Sequence, residues 1–485
     1  MTKKISVYPV SLILPKILSR NLDENKKGDY MEKTVSKKEN IMGTMPVGSL
    51  LIKMSIPMVI SMLVQSIYNV VDSIFVARIS EEALTAVSLA FPVQNIMLAF
   101  AIGISVGASA LLSRYLGMDD KKRVGAVAMH GVVLSVVGAI AFALFGIFFT
   151  DFFANSQAAT PEIVAYTRDY LWIVTIFGFG LFFQVLCEKL LQATSLTFYT
   201  MIVQVSGALI NLILDPIFIF GLFGFPRMEV KGAALATVLG QIGGSIIGLI
   251  INKTKNTDIV VDFKHFRLHG DILKQIFWIG LPSIVMSAIS SVIIFILNSM
   301  LRAFGQSAIA AYGVMFKLQS FAFLPIIGIS NAMVSIISFN YGARHVARIR
   351  RSIKLALISG IVLVGIATVF LWILPNQIFD LFNATDTMRQ IGVPMIRIVS
   401  LSYIVASVSI ISVGVFQALG NWQSAILQSF LRQFFILLPT FYLFSLTGNI
   451  DLVWWSFLIS EGLNTIMCVY FLKRDIKNKI DVLIE

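Results

Sequence analysis

The sequence is poor in charge and in the residue types that build catalytic or metal sites. Only 13% of its 485 residues are charged and 57% are hydrophobic, whereas an ordinary soluble domain has roughly 25% charged residues. It has four histidines without an evident cluster and two cysteines, Cys187 and Cys468, whose positions suggest neither a disulfide nor a metal site. A soluble protein of this length needs far more polar surface, so the composition excludes that class.

Signatures of energy-consuming or hydrolytic enzymes are also missing. The chain contains no G-x-x-x-x-G-K-[ST], which excludes a P-loop ATPase, and no H-E-x-x-H metalloprotease motif. We therefore expect a protein that is not an enzyme and needs no cofactor. An integral-membrane enzyme of lipid metabolism remains the alternative from another class, but it would require a catalytic cluster in a loop, and the loops are short and basic.

Long apolar runs are abundant. Twelve segments have about the 20-residue length that spans a bilayer as a helix. Spanning segments must satisfy their own backbone hydrogen bonds, and "GVVLSVVGAIAFALFGIFF" (131–149) lacks the alternation of a barrel strand. We predict an all-α polytopic membrane protein with twelve transmembrane helices, at about 54–77, 92–113, 126–149, 164–186, 198–222, 232–252, 275–301, 317–338, 353–373, 387–412, 421–445 and 452–472.

The net charge of +12 is distributed as in a membrane protein rather than a nucleic-acid-binding one. Lysines and arginines are concentrated in alternate loops (113–123, 253–274 and 344–354) and at both chain ends. Because basic loops stay on the cytoplasmic side, we expect a multi-pass protein of the cell inner (plasma) membrane with both termini in the cytoplasm. The expected partners are therefore the lipid bilayer and no nucleic acid.

The chain is internally duplicated. A shift of 225 residues places "GISVGASALLSRYLG" (103–117) on "GISNAMVSIISFNYG" (328–342), and Pro57 on Pro282. Parallel repeats of six helices are a transporter architecture, with the substrate site between the lobes. The predicted domains are a cytoplasmic N-terminal tail (1–45), an N-lobe (46–252), a cytoplasmic linker (253–274), a C-lobe (275–472) and a cytoplasmic C-terminal tail (473–485). Translation could start at Met1 or at Met31.

Charged groups inside the spans differ between the two lobes. Asp72 and Asp215 lie in N-lobe spans, and neither has an acidic counterpart after the shift. Asn211 and Asp215 are four residues apart and share a helix face. Pro216 leaves the carbonyl of the preceding turn free and favours a bend. Because buried charge is costly unless it has a use, these residues predict a site for a proton or a small cation.

Other polar residues within the spans are harder to assign. Gln65, Arg432 and Glu461 are further buried polar candidates, and hydrogen bonds to neighbouring helices are the simpler interpretation of the last two. Glu188 is expected at the level of the lipid headgroups. Pro57, like Pro216, is a candidate for a helix bend at the coupling site.

Several sequence blocks resemble the multidrug and toxic compound extrusion (MATE) family. They include "PMVISMLVQSIYNVVDSIFVARI", "GISVGASALLSRYLG", "LQATSLTFYTM" and "INLILDPIFIFG", and the resemblance covers about residues 45–475. It implies a secondary antiporter that expels organic, often cationic, drugs in exchange for sodium ions or protons through a cleft between the lobes. It also implies a cation or proton site at Asp72, Asn211, Asp215 and Thr237, where sodium is one candidate ion.

The resemblance is closer to the DinF-like bacterial branch than to the NorM-like branch. The latter has acidic residues in helices seven and ten, and the corresponding segments here have none. A lipid-linked or polysaccharide-precursor flippase of the same architecture is the alternative, although such proteins usually have more basic residues in the cleft. The choice between sodium and proton stays open. A complete cleft in one chain makes a functional monomer the expectation.

Overall fold

The computed structural model describes residues 40–157, 160–260, 266–382 and 384–483. The two candidate starts, Met1 and Met31, and the predicted tail up to residue 39 lie outside the described residues. The main helices are α1 Val47–Ala77, α2 Glu81–Gly117, α3 Lys121–Gln157, α4a Pro161–Ile176, α4b Phe179–Ala193, α5 Thr197–Phe220, α6 Val230–Lys255, α7 Gly270–Leu301, α8 Gln306–Gly342, α9 Val346–Ile373, α10 Asp386–Ala418, α11 Trp422–Ser445 and α12 Ile450–Asp475.

The predicted number of spans is confirmed within these residues. Eleven helices are long and apolar enough to cross a membrane, and α4a with α4b, bent by 48°, makes a twelfth. Helices α2, α3 and α8 each have 37 residues, about 55 Å at 1.5 Å per residue. This length exceeds the roughly 30 Å hydrocarbon core, so these helices extend beyond it into the headgroup region.

Matching hydrogen bonds confirm the duplication. In the N-lobe, the Ser113 hydroxyl donates to the carbonyl of Ala193 at 2.9 Å. In the C-lobe, Ser338 donates to the carbonyl of Ala418 at 3.3 Å. Both residues of the second pair are shifted by 225 positions from the first. Each lobe therefore ties the end of its second helix to the end of its fourth in the same way.

The lobes touch through a second matched pair of contacts at the end that carries the basic loops. A Cβ added to Gly117 would lie 2.0 Å from the carbonyl oxygen of Phe339, and one added to Gly342 would lie 2.0 Å from that of Arg114. The Arg114 guanidinium also donates to the carbonyl of Ala418 at 2.9 Å and lies over the Tyr341 ring. The two lobes are thus packed backbone to backbone at this end.

The segments outside the spans are more tightly packed than the predicted tails imply. Asn40 caps the short helix Ile41–Thr44, and the carbonyl of the fully buried Met42 accepts hydrogen bonds from Asn340 and Arg348 of the C-lobe. At the other end, Lys479 donates to the carbonyl of Leu419. Residues 40–45 and 473–483, predicted as parts of the cytoplasmic tails, therefore pack on the C-lobe.

The stretch Gly103-Ile-Ser-Val-Gly107 matches the G-x-S-x-G pattern of serine hydrolases, yet it has a packing role. It lies inside α2, whereas a hydrolase nucleophile sits on a sharp turn between a strand and a helix. A Cβ on Gly103 would lie 3.0 Å from the carbonyl oxygen of Gly280, and one on Gly107 would lie 2.0 Å from that of Ile276. The two glycines let α2 and α7 approach closely.

Candidate functional site

Three N-lobe helices bring together the four residues predicted to form the ion site. The side-chain amide of Asn211 on α5 donates to Asp215 Oδ1 at 3.3 Å and to Thr237 Oγ1 of α6 at 3.4 Å. Asp215 is fully buried. The Asp72 carboxyl of α1 lies close enough to the Asp215 carboxyl for the two to interact electrostatically.

The site has more oxygen acceptors than donors. Four buried oxygens have no hydrogen-bond partner among the described residues: Asp72 Oδ1, Asp215 Oδ2, Asn211 Oδ1 and Gln241 Oε1. Burying such acceptors without partners costs free energy, and a proton or a cation would satisfy them. A cavity of about 20 Å³ lies against Asn211 and Thr237, which is room for about one water or ion.

Side chains that sequence reasoning missed surround this cluster. Tyr68, Gln184 and Gln241 line the 20 Å³ cavity, and Gln94 donates to the hydroxyl of the buried Tyr170 nearby at 3.0 Å. One signal was available, because Gln241 follows Thr237 by four residues and so shares its helix face. The tyrosines gave no comparable signal in the sequence.

A larger cavity of about 410 Å³ lies between the two lobes. Its walls come from α1, α2, α4b, α5 and α6 on one side and from α7, α8 and α10 on the other. Asp72 and Asp215 are not among its lining residues, but Gln65 is. Four side chains line both this cavity and the small one beside the acidic cluster: Tyr68, Gln184, Gln204 and Gln241.

Among the described residues, the central cavity is lined by one carboxylate and one ammonium. Glu188 lines the cavity and accepts a hydrogen bond from Gln184 at 3.1 Å, and its position at the headgroup level stays a prediction. Lys189 is 8% exposed and donates to Gln192 at 2.9 Å and, across the lobes, to Asn331 at 3.2 Å. Both residues lie in α4b, the second part of the bent span.

The remaining predicted residues lie elsewhere. Arg432 and Glu461 pair with each other in the C-lobe at 2.8 Å, as the hydrogen-bonding interpretation expected. Pro57 is 15 residues from Asp72, about 22 Å along α1, so it is not at the coupling site. Pro216 adjoins Asp215, but neither proline interrupts its helix.

Comparison with known proteins places this architecture in a family. A model of the MatE family matches residues 57–217 and 282–443, one stretch in each lobe. The chain belongs to the MatE family. Because the family consists of transporters, the expectation that the protein is not an enzyme is confirmed. Assignment of this MatE chain to the DinF-like branch stays a prediction.

Individual MatE relatives resemble the chain over nearly its whole length. Multidrug export protein MepA of Staphylococcus haemolyticus is 28% identical over 434 residues, 88% of this chain and 93% of that protein. An outward-facing multidrug resistance MATE transporter of the MOP superfamily superposes with a TM-score of 0.85 and 25% identity, over 91% of this chain and 98% of the other. A Pyrococcus furiosus MOP superfamily transporter, described as having a binding pocket of reversed polarity, gives the same TM-score and identity over 93% and 99%.

Proposed function

We propose that the protein is a secondary active antiporter that exports organic, mainly cationic and amphiphilic compounds in exchange for protons or sodium ions. The observation that carries this proposal is the cluster of four unpartnered buried oxygens around Asp215. It adjoins a cavity between the lobes that is large enough for a small drug. The multidrug export activity named for the similar MepA proteins supports the same substrate class.

The transport cycle follows from the position of the two cavities. An ion bound by Asp72, Asn211, Asp215 and Thr237 neutralises the acidic cluster, and the side chains shared with the central cavity transmit its presence to the substrate. The lobes are packed together at the basic-loop end. With the positive-inside orientation, this arrangement is closed to the cytoplasm, and opening there while closing at the other end gives alternating access.

The same considerations support the remaining features of the proposal. Alternate basic loops support cytoplasmic termini, and the multidrug export named for the similar MepA proteins supports a plasma-membrane location. Both walls of the central cavity come from one chain, which supports a functional monomer.

A flippase for lipid-linked sugars is the second candidate, and Lys189 is the observation that favours it. A buried ammonium in the central cavity could bind a diphosphate, whereas the Asp72–Asp215 cluster and Glu188 favour cations. Only one lysine and no arginine line this cavity in the described part of the chain. Charge therefore favours drug export over transport of a polyanionic headgroup.

The test is efflux of a fluorescent organic cation from proteoliposomes, driven separately by a sodium gradient and by a pH gradient. We expect one gradient to drive export by the wild type, and Asp72→Asn and Asp215→Asn to abolish the driven component. Asp151→Asn is the matched control, because its side chain is 75% exposed and lies outside the site.

Each outcome decides a different part of the proposal. Full activity in both site variants would remove these aspartates from the coupling mechanism. If the wild type moves no cation under either gradient but transports a fluorescent lipid diphosphate, the result contradicts the antiporter function and supports the flippase function. The gradient that drives export identifies the coupling ion.

A further inference from the structure

A groove of about 820 Å³ lies at the basic-loop end of α3, outside the transport pathway. Its floor is apolar and includes Ala126 and Met129 of α3 and Ile272 of α7. Its rim is cationic through Lys121, Lys122, Arg123 and Arg267, and the His269 ring lies among them. We call it the N-lobe groove. No carboxylate is among its lining residues in the described parts of the chain.

The wall of this groove is held in place by a buried histidine. His130 is fully buried, and its Nε2 accepts the backbone N–H of His269 at 2.8 Å. Its Nδ1 therefore carries the proton, and it donates to the carbonyl of Ala126 at 2.7 Å. The ring of Phe266 packs edge-on against His130. Residues 266–269, just before α7, are thus fixed against α3.

Most of the rim cations are not paired with an acid in the described residues. Arg123 pairs with Asp120 at 3.3 Å, but Lys121, Lys122 and Arg267 make no ion pair within 4 Å in the part of the chain that the structure describes. The Asp258 carboxylate accepts a hydrogen bond from Asn40 and interacts electrostatically with the Lys121 ammonium. Burial raises the pKa of Asp258, while Asn40 and Lys121 act in the opposite direction.

The C-lobe has a smaller groove of the same kind at the corresponding place. About 390 Å³ lies between α9 and the end of α12, with Arg350 and Lys354 at its rim and Ile353, Leu357 and Leu472 in its apolar lining. The 225-residue shift places Arg350 and Lys354 on Gly125 and Met129, which line the N-lobe groove. A cationic rim over an apolar floor therefore recurs in both lobes, although the individual basic residues differ.

We propose that the N-lobe groove binds an anionic phospholipid from the leaflet on the basic-loop side. The longer-than-core α3 places Lys121, Lys122 and Arg123 at headgroup depth, where their ammonium and guanidinium groups and the helix N-terminus attract a phosphodiester. Below them, the floor of Ala126, Met129 and Ile272 accommodates the first part of an acyl chain. Basic pockets between membrane helices on the cytoplasmic side are the general form of such sites. The C-lobe groove, smaller and with Arg350 paired to Asp481, binds the same lipid more weakly.

The test uses native mass spectrometry of the full-length protein in a neutral detergent, titrated with phosphatidylglycerol or with phosphatidylcholine. We expect tighter binding of phosphatidylglycerol. The variant Lys121→Gln/Lys122→Gln/Arg267→Gln should weaken the first bound lipid by tenfold or more, since each surface cation contributes about fivefold. Asp258→Asn, which removes the acid beside Lys121, should strengthen binding.

The matched control removes the same charge at the same end of the protein but outside the groove. Lys253→Gln/Lys255→Gln/Lys274→Gln should change the affinity less than twofold. Equal losses in both triple variants would show diffuse attraction to a basic surface and overturn the proposal. So would equal affinities of the wild type for the two lipids.

A second variant tests the groove separately from its charges. Ala126→Trp fills the floor and keeps every cation, so it should also displace the first lipid. Soluble glycerol phosphate at the same concentration should not displace the bound phosphatidylglycerol. Full displacement would show that the groove binds small soluble anions rather than a lipid, and would overturn the proposal. Thermal unfolding of each lipid-free variant checks that it is folded. If the triple variant of Lys121, Lys122 and Arg267 is unfolded, the single variant Lys122→Gln takes its place in the titration. None of these measurements depends on transport, so they test the lipid site independently of the proposed antiporter function.

Discussion

The Arg432 guanidinium donates to the Glu461 carboxylate at 2.8 Å, which joins α11 to α12 inside the C-lobe. The Ser460 hydroxyl adds a bond to the carbonyl of Arg432 at 2.8 Å. Helices α11 and α12 are the repeat counterparts of α5 and α6, which carry most of the N-lobe acidic cluster. The Glu461 carboxylate is thus paired with a cation of its own lobe, whereas no described basic residue pairs with Asp72 or Asp215, and this difference supports ion coupling by the N-lobe.

We expect Arg432→Met to destabilise the protein by about 3 kcal/mol, because it leaves a carboxylate unpaired at a site where the side chains are only 20% and 13% exposed. The double variant Arg432→Met/Glu461→Leu should recover most of this loss, since it removes both charges. Denaturant unfolding in detergent measures both, and ion-driven export by the double variant checks coupling. A double variant that folds but has lost its ion dependence would contradict the structural role.

The sequence predicts the class of fold and much of the candidate site. Runs of about 20 apolar residues and the 225-residue shift are enough for twelve helices in two lobes, because membrane helices must satisfy their own hydrogen bonds. Asn211 and Asp215 share a helix face by their spacing alone. Their meeting with Asp72 and Thr237 came from the family resemblance, and the structure brings the four together.

Other features depend on contacts that no local pattern encodes. The position of Lys189 in the central cavity depends on its hydrogen bond to Asn331, 142 residues away in the other lobe. Arg432 and Glu461 are 29 residues apart, and either could have faced another helix. Residues 40–44 were predicted to belong to the cytoplasmic tail, yet Met42 is buried. The C-lobe residues Asn340 and Arg348 donate hydrogen bonds to its carbonyl. In each case the partner lies far away in the chain.

The charges of Glu188 and Lys189 should have opposite effects on cationic substrates, because both line the central cavity. Lys189→Met removes a repulsive ammonium, and we expect the KM for a monocation to fall several-fold. Glu188→Gln should raise it by a similar factor. Initial rates of proteoliposome export against substrate concentration measure both, with an uncharged substrate as the control. Equal shifts for the uncharged compound would indicate a change of shape rather than of charge.

Gly117 and Gly342 should be equally sensitive to an added methyl group, since each would meet a backbone carbonyl of the other lobe at 2.0 Å. We expect Gly117→Ala and Gly342→Ala to separate the lobes at the basic-loop end. In a protein with Cys187 and Cys468 replaced by alanine, a cysteine at the cavity-lining Ser287 should then react several-fold faster with an impermeant thiol reagent from that side. Gly365→Ala is the control, because its added Cβ meets no described atom within 4 Å outside its own stretch of helix. Unchanged labelling in both variants would contradict closure by these contacts.

Gln241 should affect coupling more than substrate binding, because its unpartnered oxygen belongs to the buried cluster while its side chain also lines the central cavity. Gln241→Leu removes this oxygen and keeps the bulk, so we expect the maximal rate of ion-driven export to fall several-fold with KM nearly unchanged. Ser245→Ala, one turn further along α6, is the control, since its hydroxyl bonds only the carbonyl of Ile242 in the described contacts. A rise in KM at constant maximal rate would instead identify Gln241 as a substrate-binding residue. Ion binding at Asp215 would then not require the Gln241 side chain.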